Sequence, residues 1–113
     1  MSTGARSVNN ANYFQAVVPG RSHVIAFTNV SAAIADAMES DTTLVRAFAT
    51  QDCWVKIGSG SAPTAQAPSS GSPKDDTIFI AGGIFCYFGV EPGAYIAVVR
   101  DSANGNLFLT EAK

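Results

Sequence analysis

Residues 77–111 read TIFIA-GG-IFCYFGV-EPG-AYIAVVR-DSANG-NLFLTE, and the punctuation of this stretch decides the fold class. Four short runs, 77–81, 84–90, 94–100 and 106–111, are rich in β-branched and aromatic residues, the composition of strands. Their breaks carry turn chemistry: Gly82-Gly83, Glu91-Pro92-Gly93, and a 101–105 segment that ends in Asn104-Gly105, a pair suited to a hairpin. Four consecutive strands are therefore expected here.

Upstream the same pattern continues. In 53–57, Cys53, Val55 and Ile57 point one way and Trp54 and Lys56 the other. In 44–50, Leu44, Arg46, Phe48 and Thr50 share one face and Val45, Ala47 and Ala49 the other. With Gln51-Asp52 between them, these two runs read as a hairpin. Residues 31–38 are ambiguous, since the alanines favour helix while Ile34, Asp36 and Met38 also fit a period of two; the reading adopted is strand. Residues 23–28 alternate, and 13–18 form a further extended run closed by a Pro19-Gly20 turn.

Two segments stand apart. Residues 58–76 are rich in Ser, Gly, Pro and Ala with no large apolar side chain, a loop expected to be mobile or ordered by a partner. Residues 1–12 are small, polar and Asn-rich, and read as a flexible N-terminal arm before a single domain over 13–113. Seven to nine short strands without a convincing helix give an all-β antiparallel sandwich or barrel. The expected core includes Val24, Phe27, Val45, Val55, Ile57, Ile78, Ile80, Phe88, Ile96, Val98 and Leu107. The aromatics Phe79, Phe85, Tyr87, Phe88, Tyr95 and Phe108 fall on strands and are assigned to core packing.

The 113 residues suffice for one domain with one core, and 47% hydrophobic content excludes a disordered chain. Only 14% of residues are charged, against about 25% in an ordinary soluble domain, so the surface is poorly protected against association. A net charge of −2 and no window rich in Lys or Arg exclude a nucleic-acid footprint. The longest apolar run, 84–90, is far shorter than the roughly 20 residues of a membrane helix. The N-terminus lacks an apolar signal core, so synthesis in a cytoplasm is expected, where Cys53 and Cys86 would be small buried hydrophobes rather than a disulfide.

The inventory of reactive groups is thin. The lone histidine, His23, lies in an apolar alternating segment and reads as a hydrogen-bonded structural residue rather than a general base. The pair Asp75-Asp76 sits at a loop end, where neighbours on an extended backbone face opposite ways. Gly58-Ser59-Gly60-Ser61 lacks the Gly-Lys-Ser/Thr ending of a phosphate loop, and Asn29-Val30-Ser31 is a chance sequon. Two thiols and one imidazole do not complete a zinc site. No residue is assigned a catalytic, cofactor-binding or metal-ligating role, and the chain is not read as an enzyme.

The run Phe88-Gly89-Val90-Glu91-Pro92-Gly93-Ala94-Tyr95-Ile96-Ala97-Val98-Val99, followed by Gly105-Asn106-Leu107-Phe108-Leu109-Thr110-Glu111, resembles small virion proteins of tailed bacteriophages. Thr43-Leu44-Val45-Arg46, the strand from Cys53 to Gly58 and Ala62-Pro63-Thr64-Ala65 fit the same pattern, so the resemblance spans 42–111. Among such proteins it is most similar to head decoration, or cement, proteins. That resemblance implies a jelly-roll-like β-sandwich that binds the capsid exterior, joins neighbouring major capsid protein subunits and stabilises the shell. It implies a protein made in a bacterial cytoplasm and carried on the virion; the low-charge body favours self-association, as a dimer or trimer, and its charge and hydropathy leave no nucleic-acid or membrane partner expected. A small tail or head-tail joining component is the nearest sibling role. A carbohydrate- or ligand-binding sandwich, using Trp54, Tyr87 and Tyr95 as stacking surfaces, is the reading from another class.

Overall fold

The computed structural model describes residues 19–112. The expected arm over 1–12 and the expected strand over 13–18 lie outside them. Eight strands follow in order: β1 (Pro19–Phe27), β2 (Ala32–Ala33), β3 (Leu44–Ala49), β4 (Cys53–Ser59), β5 (Thr77–Ile80), β6 (Phe85–Gly89), β7 (Ala94–Arg100) and β8 (Gly105–Ala112). They form two four-stranded antiparallel sheets, sheet one in the order β1-β8-β3-β6 and sheet two in the order β2-β7-β4-β5. No helix occurs among the described residues.

The order follows from one operation. Strands pair from outside inward, β1 with β8, β2 with β7, β3 with β6 and β4 with β5, as in a single long hairpin whose tip is the 60–76 loop. Rolling that hairpin brings β8 beside β3 and β7 beside β4, which closes the two sheets of a jelly roll.

This structure corrects four local readings. Of all consecutive strands in the series, only β4 and β5 pair, so the expected hairpins across Gln51-Asp52 and Asn104-Gly105 are instead crossings from one sheet to the other. Turn residues report a local reversal of the backbone, and a reversal serves a crossing as well as a hairpin. At the second crossing the Thr50 N–H donates to the Asn106 carbonyl (3.0 Å) and the Asn106 N–H to Thr50 Oγ1 (2.9 Å). Gly105 is required there, because a Cβ would lie 2.7 Å from Thr50 Oγ1 and 2.8 Å from the Phe27 ring. Pro19-Gly20 belongs to β1 rather than to a turn, with the register against β8 irregular between Pro19 and Ser22. Within 31–38 only Ala32–Ala33 is strand; beyond it, backbone bonds from Ile34 N–H to the Ile96 carbonyl and from Met38 N–H to the Ala94 carbonyl lay an irregular segment along β7.

The core lies between the sheets. Ile25 and Phe27, Val45 and Ala47, Leu107 and Leu109 enter from sheet one; Cys53 and Val55, Ile96 and Val98, and Ile80 enter from sheet two; Ile34 and Met38 fill one side. Ile57, Ile78 and Phe88 pack against this core while staying partly exposed. Val24 is a correction: it is 63% exposed, and its neighbour Ile25 takes the inward place. With Phe27 inside, a period of two puts Ile25 inside and Val24 outside.

Strand β7 is buried on both faces. Ile96 and Val98 face the core, while Ala97 and Val99 form a second small cluster with Ala65 from the 60–76 loop, packed by Ala33 and Trp54. Ala65 is held there by its N–H, which donates to Ser31 Oγ (2.8 Å). The loop therefore has a fixed point at its middle that its Ser/Gly/Pro composition did not announce.

Candidate functional surface

The residues singled out for chemistry do not converge. His23 faces inward from β1, and its Nε2 lies 2.6 Å from the Glu111 carboxylate. Glu111 is fully buried and also accepts from Thr42 Oγ1 (2.5 Å) and from the Glu39 N–H (2.8 Å). Burial by itself would raise its pKa, but the bonds from Thr42, His23 and Glu39 outweigh it and hold the carboxyl below its ordinary value. Every group around this carboxylate belongs to the scaffold: Thr42 and Glu39 from the segment before β3, His23 from β1. The arrangement is a clasp that ties β8 to both, with three hydrogen bonds converging on one buried carboxylate.

Asp75 and Asp76 lie at the turn that leads into β5. The Asp75 carbonyl accepts from Lys56 Nζ (2.8 Å) and from Thr77 Oγ1 (2.9 Å), and Asp76 takes a left-handed φ of 55° to turn the chain into β5. Cys53 is buried and Cys86 half-buried, both as free thiols. Burial first, then the neighbouring Cys86 and Asp52, push the Cys53 thiol up to about 12, so it stays protonated and unreactive. Among the described residues no group of three His, Cys, Asp or Glu side chains could hold a metal ion.

The three aromatics of the ligand-binding reading lie apart. Trp54 is half-buried on sheet two, its indole N–H donates to Asp101 Oδ1 (3.0 Å), and its ring tilts against Phe79 at 5.0 Å between centroids. Tyr95 is half-buried in β7 of the same sheet, and Tyr87 is on sheet one. An open groove of about 660 Å³ lies instead between the ends of β4, β5 and β6, lined by Ile57, Ile78 and Val90 with Asp76 and Glu91 at its polar side.

What the structure assembles is the outer face of sheet one. The register places Val24 opposite Phe108, Phe108 opposite Phe48, and Phe48 opposite Phe85, so one apolar row crosses all four strands from edge to edge. Beside it runs a second row, Ser22, Thr110, Arg46 and Tyr87. Phe85 is 56% exposed, Phe108 45% and Tyr87 41%. Within the row, Phe48 and Phe85 are 4.9 Å apart, and the Arg46 guanidinium sits 3.9 Å above the Phe85 ring. Arg46 is the one charged side chain in the two rows.

Phe79, Phe85, Tyr87 and Phe108 are thus outward-facing, against their expected assignment to the core. A parity signal existed: Phe108 lies between Leu107 and Leu109, and both leucines cannot face out without turning Phe108 in. No family model, curated protein or solved structure matches the chain.

Proposed function

We propose that this protein is a non-enzymatic structural component of a virion, a head decoration protein that binds the exterior of a tailed-phage capsid and joins neighbouring major capsid protein subunits. The aromatic row across sheet one carries the reading, because it marks a body built to assemble with other protein surfaces, copies of itself or shell subunits. A surface of rings with one charge is costly to leave in water and cheap to desolvate, which is the property of a protein-binding face rather than of a substrate site. Two further points support it: the phage-like run over 42–111, and a rolled sandwich that presents the face on a rigid body. Repetition over a shell would turn modest single contacts into a large total stabilisation.

The test is the rupture temperature of capsids stripped of the protein and then re-decorated with it. Rupture should move upward with occupancy. Failure to bind shells, or binding that leaves rupture unchanged, would overturn the assignment in favour of a tail or head-tail joining component or a ligand-binding module.

A further inference from the structure

We infer that the outer face of sheet one is a self-association surface, occupied by the same face of a second copy in a two-fold dimer. This deepens the proposed function, on which it rests for the idea of an assembling body: the row joins two copies, and the dimer so formed meets the shell through its remaining surface.

Charge selects the occupant. The two rows carry one cation and no anion, and that cation is already stacked on Phe85 of its own chain. A partner must therefore bring a nearly uncharged surface, four strands wide, that fits rings against rings. The chain's own face meets that description. Turning a second copy about an axis parallel to the strands and between β8 and β3 reverses the row, so Val24 meets Phe85 of the second copy and Phe108 meets its Phe48. The smallest member then faces the most exposed ring. The same rotation sets Arg46 opposite Thr110 of the second copy, so the two guanidiniums are not apposed. Two twisted sheets stacked in this way pack about 10 Å apart with strands within about 30° of alignment, an ordinary sandwich interface.

The area is of the right order. Aromatic side chains bury about 150–250 Å² each, so the exposed fractions of Phe85, Phe108 and Tyr87 leave roughly 200–350 Å² per copy. Doubling this for two copies and adding Val24, Ser22, Arg46 and Asn106 brings the contact near the roughly 1,200 Å² at which stable interfaces begin. An isologous contact of this kind closes on itself and does not propagate into fibres.

The experiment is the solution mass of the full chain by sedimentation equilibrium over a hundredfold range of concentration. Wild type should be a dimer at the upper end. Phe108→Ser, and separately Phe85→Lys on the edge strand, should weaken dimerisation at least tenfold while leaving the far-ultraviolet circular dichroism unchanged. Phe79→Ser, on the outer face of sheet two, should leave the mass unaltered. A wild-type monomer at every concentration overturns the inference, as does a dimer that survives both sheet-one substitutions or one that Phe79→Ser abolishes. Capsid binding is scored in parallel with the same proteins. A monomer that still protects shells removes the dimer and keeps the decoration role, whereas a dimer that ignores shells does the reverse. Shell binding lost with Phe108→Ser in a wild-type monomer would assign the face to the capsid.

Discussion

The two sheets alternate in the same way, yet their outer faces end differently. On sheet two, Ala97 is sealed and Val99 nearly so, because Ala65 is carried over them from the 60–76 loop and held by Ser31. On sheet one nothing among the described residues crosses the face, and Val24, Phe85 and Phe108 stand in the open. An apolar residue on the outer side of a strand is therefore neither core nor surface by its own nature. A segment remote in sequence decides which.

Four predictions can break or sharpen that contrast. The largest effect belongs to the interior both sheets share: Ile96→Ala should destabilise by about 2–5 kcal/mol in denaturant unfolding, through lost transfer energy and a cavity that a closely packed sandwich cannot refill. A small loss would mean that the sheets are not packed as described.

Next is the clasp behind sheet one. Because the folded-state pKa of Glu111 lies below its ordinary value near 4.5, its contribution is complete above that pH and disappears as pH falls through the folded value. Unfolding free energy measured from pH 7 to pH 2 should drop across that acid range, and Glu111→Gln should flatten this part of the profile. At pH 7 the same substitution should cost about 1.5–3 kcal/mol, the worth of hydrogen bonds to a charged group. An unaltered acid limb would assign the slope to other carboxylates.

Uncovering sheet two should cost less. Ser31→Ala removes the acceptor of the Ala65 N–H and should destabilise by about 1–3 kcal/mol, with faster amide exchange at Ala65 and a change in Trp54 fluorescence as the loop lifts. If exchange at Ala65 is already fast in the wild type, the covered face is not covered in solution. The smallest effect is expected on the bare face, where Phe108→Ser should shift monomer stability by only about 0.2–1 kcal/mol, the scale of cross-strand pairs. A loss as large as that of Ile96→Ala would show that the face is part of the core.

The class of the fold was legible because it rests on nearest-neighbour patterns. The 94–100 strand coincides with β7, and the runs at 44–50, 53–57, 77–81, 84–90 and 106–111 each match a strand within two residues at either end. Partner choice was not legible, since Gln51-Asp52 and Asn104-Gly105 specify a reversal and not the sheet into which the chain returns. The clasp was half legible: His23 was read as a bonded structural residue, but its partner lies 88 residues away, and no local feature marks Glu111 as the buried carboxylate among 9 acidic residues. The row on sheet one escaped for a related reason. Val24, Phe48, Phe85 and Phe108 are dispersed over four strands, and only the register aligns them.

The nested pairing also prescribes an order of events in folding. Each pair outside the tip encloses all the pairs inside it, so loop-closure entropy is lowest at β4–β5 and grows outward to β1–β8. The polypeptide should close like a zipper, starting where the 60–76 loop brings β4 and β5 together and finishing when the His23–Glu111 contact locks the first strand to the last. Such dependence on distant pairings belongs to the slow end of two-state folding, milliseconds to seconds. Shortening the 60–76 loop should accelerate folding, whereas weakening the final lock by Glu111→Gln should mainly accelerate unfolding.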